Sequence, residues 1–195
     1  PAAVELHATY SGYADDVTAI HLAPDCEAER QFLPEPSSLA GCLLLADRGY
    51  PSVSYFMAVQ AHGGAFIIRL STAHDPYVMA AWHQGRRLLV AKDMRLSRFL
   101  ARHAGVAVDL DIEYRQTNHA ERFRLVVMPG RAGQARRLCT NLSRRTFSVA
   151  LIARLYRFRW QIELFFKEWK SYANLHKFDT ANPHIAAGLI WAGLC

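Results

Sequence analysis

The order of apolar and polar positions divides the chain into short strands, a few short helices and one long helical stretch near its end. Val4–Ser11 and Val17–Pro24 read as two strands, and the Gly and Asp residues of Gly12-Tyr13-Ala14-Asp15-Asp16 between them favour a hairpin turn. Cys26–Phe32 is expected to form a short helix closed off by Pro34 and Pro36. Cys42–Ala46 is continuously apolar, as in a strand buried on both faces. Asp47-Arg48-Gly49-Tyr50 follows it, and Ser52–Ala61 reads as a helix ended by Gly63-Gly64. Ala65–Leu70 is a second buried strand. From Ser71 to Arg137 the pattern is β-rich without βαβ rhythm, with strands expected at Arg87–Ala91, Val106–Tyr114, Arg122–Met128 and Arg137–Leu142 and a short helix at Ser97–His103.

The long stretch carries most of the information. Leu151, Leu155, Phe158, Ile162, Phe165, Phe166 and Trp169 recur at the three- and four-residue spacing of one buried helix stripe, and Thr146 or Ser148 can cap its amino end. Tyr156, Arg159, Glu163 and Lys170, at offsets of 0, 3, 7 and 14 residues, fall within an arc of roughly 60° beside that stripe. A carboxylate, two cations and a phenol then line the edge of a buried face. The plainer alternative is an ordinary surface ion pair of Glu163 with Arg159 or Lys167, worth about 0.2–0.5 kcal/mol.

Asp47 is the second candidate. A strand, an acid, a Gly turn and a helix in succession put it at the carboxyl edge of a sheet, where open α/β sheets hold ligands; the alternative is an Asp selected for the turn itself. Asp109, Asp111 and Glu113 alternate with Val108, Leu110, Ile112 and Tyr114, so they are expected on the solvent side of an amphipathic strand with Arg122 and Arg124 as cross-strand partners, not as a metal site. Trp82, among His83, Arg86 and Arg87, is expected to pack in the core, with base stacking as the alternative. His7 and His21 read as plain strand residues.

Composition narrows the class. With 51% hydrophobic and 21% charged residues, the chain reads as a soluble globular domain. No apolar run approaches the roughly 18 residues of a membrane span, so no membrane partner is expected. Cys26, Cys42, Cys139 and Cys195 show no CxxC pairing, which fits reduced thiols in a cytoplasm, and the nine histidines form no zinc motif. The net charge of +6 is localised: eight Lys/Arg against two acids between Arg144 and Lys177 account for all of it. A polyanion such as DNA is the partner this implies, bound in a salt-sensitive way. Pro1 at the start and an apolar run to Cys195 at the end lead us to expect a piece of a longer protein.

Tyr156-x2-Arg159-x3-Glu163-x6-Lys170 resembles the YREK signature of insertion sequence 4 type transposases at every signature position, and Asp47-Arg48-Gly49-Tyr50 resembles the second-Asp motif of the same family. Leu6-His7 with Thr9-Tyr10 is similar to the strand after the first catalytic Asp, and Thr140-Asn141-Leu142 to the strand before the catalytic helix. The resemblance covers nearly the whole chain. It implies an α/β, RNase H-like mixed sheet: a first part of the core over 1–71, a β-rich insertion over 72–142 and the carboxyl-terminal helices over 143–195. It also implies a transposase cutting and rejoining phosphodiester bonds at element ends, with Asp47 and Glu163 as catalytic metal ligands. Two Mg²⁺ or Mn²⁺ ions would suit such hard oxygen donors. Tyr156, Arg159, Lys170, Lys167 and Arg48 would contact DNA, and a homodimer in a synaptic complex, in a bacterial cytoplasm at the nucleoid, is expected. The first Asp of the triad belongs on a strand ahead of Val4, so residues 1–195 alone are expected to be inactive. A non-catalytic DNA-binding remnant of a transposase is the alternative.

Overall fold

The structure, a computed structural model, describes residues 4–14, 16–24, 29–49, 52–115, 120–130, 134–172, 182, 185 and 188. In chain order the strands β1 (Val4–Ser11) and β2 (Asp16–Pro24) precede two single-turn 3-10 helices, Glu29–Phe32 and Pro36–Leu39. Then come β3 (Leu43–Ala46), α1 (Val53–Ala61), β4 (Ala65–Arg69), β5 (Tyr77–His83), β6 (Arg86–Leu88) and α2 (Leu96–Arg102). β7 (Val108–Arg115), β8 (Ala120–Met128), β9 (Arg136–Thr140), α3 (Val149–Arg157) and α4 (Trp160–Tyr172) complete the order. The chain forms two compact units, Pro1–Pro34 with Arg157–Cys195, and Glu35–Tyr156.

In the first unit β1 and β2 form the expected antiparallel hairpin, with His7 opposite His21. His7 is buried and its ring stacks on Phe32 at 4.0 Å between centroids, so it serves as an aromatic core residue of the hairpin. The short helix expected at Cys26–Phe32 is a single 3-10 turn over Glu29–Phe32; residues 25–28 lie outside the described residues.

The second unit is built on a seven-stranded mixed sheet, ordered β3-β4-β9-β8-β7-β5-β6, in which only β3 and β4 run parallel. This is the mixed α/β class expected, and it is compatible with an RNase H-like fold. The parallel pair follows from its crossover, since α1 carries the chain back between β3 and β4. Alternation sorts the side chains. Phe66 and Ile68 of β4, Leu110 and Ile112 of β7, and Phe123, Leu125 and Val127 of β8 enter one core with Phe56 and Val59 of α1 and Leu96 and Phe99 of α2. Phe56, Phe66 and Phe123 meet there with centroids 4.9–5.9 Å apart, in stacked and edge-on pairs.

The opposite face divides into two halves. Ile67, Leu138 and Val126 are covered by Ile152 and Tyr156 of α3. Further across, on β7 and β8, the same face becomes charged. Asp109, Asp111 and Glu113 share one face, as their spacing requires, yet Asp109 and Glu113 are buried instead of solvent-facing. Segment 142–147 lies over Asp109 and Asp111, where Arg124 forks onto Asp109 with two bonds of 2.9 Å and Arg144 reaches both acids, while Glu113 is held by Arg115 and Arg122 of the sheet. Alternation alone cannot reveal that a later loop covers a polar face with its own cations. The partners were legible, since Arg122 donates to Glu113 as expected.

Hydrogen bonds from Arg115 and then Arg122 hold the Glu113 carboxyl below its ordinary value. Its stabilising contribution is therefore complete above its unfolded pKa of about 4.3 and is lost as pH falls through the lower folded value. Urea unfolding between pH 7 and 3 is expected to show stability falling below about pH 4.5, and Glu113→Gln to make that decline shallower.

One strand escaped the sequence pattern. β5 (YVMAAWH) has no clean alternation, and it pairs with β6 across a two-residue turn. Gln84 and Gly85 both have positive φ (49° and 78°), the geometry of a type I′ hairpin. β6 consequently covers Arg86–Leu88, not the expected Arg87–Ala91, and Leu89 beyond it is fully exposed.

Candidate active site

Asp47 immediately follows β3, and the alternation that buries Ala46 in the first core places Leu45 and Asp47 on the face covered by α3. Arg69 ends β4 on that same face, one strand away, because Ala46 pairs with Ile68. Tyr156, buried at the end of α3, completes the group. Three donors converge on one oxygen: Asp47 Oδ1 accepts from the Arg48 backbone N–H at 2.8 Å and from the Tyr156 hydroxyl at 3.4 Å, and lies 3.7 Å from Arg69 Nη1. The Tyr156 hydroxyl also lies 3.3 Å from the Ala46 carbonyl. About a third of the Asp47 side chain remains exposed, so its carboxylate is oriented without being sealed.

How α3 arrives there is also visible. Thr140 and Asn141 extend the β4–β9 ladder with side chains. Thr140 Oγ1 donates to Phe66 O at 2.6 Å, while Asn141 Oδ1 accepts from Phe66 N–H at 3.0 Å and Asn141 Nδ2 donates to Gly64 O at 2.9 Å. Ser148, not Thr146, caps α3, accepting the Leu151 N–H on Oγ at 3.2 Å.

The stretch expected as one helix is two. The helical ladder is interrupted at Phe158 and Arg159, where Gln161 N–H bonds to the Phe158 carbonyl at 3.0 Å. The expected apolar stripe is not buried throughout, because Phe158, at the break, is more than half exposed. A 3.6-residue period counts spacing and cannot register such a break, so the four signature residues are not carried by one continuous helix. Tyr156 belongs to the unit of Asp47; Arg159, Glu163 and Lys167 belong to the other. Across the break, Arg159 and Glu163 at the start of α4 form the i,i+4 ion pair of the plainer alternative. Lys167 is exposed, as is Arg48 beside Asp47, and the side chain of Lys170 lies outside the described residues.

Among the described residues no group of three or more His, Cys, Asp or Glu side chains is placed to hold a metal ion. Asp47 nevertheless offers the hard carboxylate oxygen that Mg²⁺ and Mn²⁺ take. Arg69 is the site residue that the sequence reading missed. Its signal was present: the apolar run of β4 ends in a single cation as that of β3 ends in a single acid, and adjacent parallel strands bring such ends together.

Comparison with known families matches residues 2–195 to the family described as the transposase DDE domain. The chain belongs to the transposase DDE domain family. No curated protein matches it. Membership makes this domain part of a DNA-acting transposase, and divalent metal ions are the family's cofactors. Among the described residues of the DDE domain no helix is long and apolar enough to cross a membrane.

Proposed function

We propose that this DDE domain is the catalytic core of an insertion sequence 4 type transposase, with Asp47 and Glu163 as two of its three metal-binding acids. The observation that supports it best is the meeting of the signature tyrosine, Tyr156, with Asp47 of the Asp-Arg-Gly-Tyr motif across 109 residues of sequence. Bound Mg²⁺ or Mn²⁺ would supply activation of the attacking hydroxyl and stabilisation of the leaving oxygen. The chain's own residues do the rest. The Arg48 backbone N–H, Arg69 and Tyr156 hold Oδ1 of Asp47, and the oriented carboxylate would be one of the groups that hold the metal. Burial of Tyr156 favours this orienting role over the contact with DNA expected for it. Arg159 can exchange its carboxylate partner for a bidentate hold on phosphate, and Arg48, Lys167 and Lys170 add charge along the DNA backbone. Asp47 and Glu163 are the two acids of the triad that we assign in this chain. Pairing of two such domains on two element ends completes the proposed assembly.

Full-length transposase incubated with end-labelled element DNA is expected to cut it with Mg²⁺ or Mn²⁺ and not with EDTA, and to bind it less tightly as salt rises. Salt-sensitive binding without metal-dependent cutting would overturn the catalytic proposal in favour of a DNA-binding remnant.

A further inference from the structure

We propose that Arg124, Arg144 and Asp109 are positioning residues: a brace anchored in the sheet that sets the direction of α3 and thereby places the Tyr156 hydroxyl against Asp47. Arg124 spends every nitrogen on this task. Nε and Nη2 hold Asp109, and Nη1 donates to the carbonyls of Leu142 at 3.2 Å and Phe147 at 2.7 Å. Those carbonyls bracket the turn that leads into α3. Arg144 sits within the turn and grips from the other side. Its Nη2 donates to Asp111 Oδ1 at 2.7 Å and to Asp109 Oδ1 at 3.3 Å, and its guanidinium lies 3.7 Å from the centre of the Trp82 ring. Trp82, opposite Asp109 on the neighbouring strand, is therefore the platform on which Arg144 rests, which accounts for a half-buried tryptophan among cations.

Geometry makes such an anchor matter. From Val149 to Tyr156 the helix is about 11 Å long, so a tilt of about 10° at its start moves the tyrosine by about 2 Å. The Tyr156–Asp47 contact is already 3.4 Å long, and that displacement ends it. A bidentate guanidinium pair has little freedom to tilt, unlike a single hydrogen bond. Asp109, Asp111, Arg124 and Arg144 thus form no site of their own; their geometry is read out at Tyr156. Only the functional meaning of the brace rests on the proposed role of Asp47.

The test uses the chain labelled with 3-fluorotyrosine, the Tyr156 ¹⁹F resonance being assigned with Tyr156→Phe. In the parent protein Asp47→Asn should shift that resonance. In Arg144→Gln, or in the milder Asp111→Asn if the first variant does not fold, the Tyr156 resonance should move or broaden and its response to Asp47→Asn should disappear. The remaining tyrosines should be little affected. An unchanged Tyr156 resonance with its Asp47 response intact, in either folded variant, would overturn the brace. That result leaves the catalytic proposal standing, because no DNA or metal enters the measurement; absent cleavage by full-length protein leaves the brace standing.

Discussion

Asp47→Asn is expected to lower DNA cleavage by the full-length transposase by at least about 10³-fold, which corresponds to about 4 kcal/mol of transition-state stabilisation. The substitution keeps the size of the side chain and an oxygen able to accept the Arg48 N–H, but it removes the negative charge that a divalent cation requires. Its cost to folding should be small, because Asp47 is only partly buried and its contact with Arg69 is a loose 3.7 Å pair. Activity and stability are thus expected to separate: thermal unfolding close to the parent, cleavage near background. Glu163→Gln should behave in the same way, since Glu163 is exposed and its pair with Arg159 is of the weak surface kind. Cleavage within tenfold of the parent by Asp47→Asn would remove Asp47 from the catalytic set.

The pattern of residues disclosed the sheet better than it disclosed the cover. The apolar run Ala65–Ile68 was legible as a buried strand because a strand with two covered faces excludes polar positions, whereas Cys42–Ala46, read in the same way, is an edge strand on which only Ala46 is fully buried and Cys42 and Leu43 are exposed. The placement of Asp47 followed directly, since an acid directly after such a run has to emerge at the strand's carboxyl edge. Three features were not legible, each for a physical reason. The burial of Asp109 and Glu113 depends on cations supplied by residues 122–144, and a strand's own period is identical whether water or arginines cover its polar face. The break between α3 and α4 leaves the apolar spacing intact and involves neither Gly nor Pro. Strand β5 was hidden because Met79 falls at a register shift in its pairing, which disturbs the two-residue period. Arg69 was overlooked for another reason: its importance is relational, visible only once β3 and β4 are known to be parallel neighbours.

Arg124→Met is expected to destabilise the unit Glu35–Tyr156 by about 3–5 kcal/mol, the largest folding effect anticipated for a single change in the charged half of the sheet. The side chains of Arg124 and Asp109 are both nine-tenths buried or more, so removing the guanidinium leaves a largely desolvated carboxylate without its main partner. Arg144 remains beside Asp109, but at 3.3 Å and partly committed to Asp111, which puts the loss toward the lower end of that range. Two carbonyls, Leu142 O and Phe147 O, lose a donor as well, at about 1–3 kcal/mol for a buried group left unsatisfied. The double variant Arg124→Met, Asp109→Leu separates the cost of an orphaned charge from the value of the pair. Apolar replacement of both partners of a buried ion pair is commonly neutral or stabilising, so the double variant should recover most of the stability lost by the single one in urea unfolding. Its Tyr156 contact should nevertheless stay impaired, because methionine and leucine can fill the volume but cannot fix the direction of α3. Recovery of stability and of the Tyr156–Asp47 contact together would mean that packing alone orients the helix.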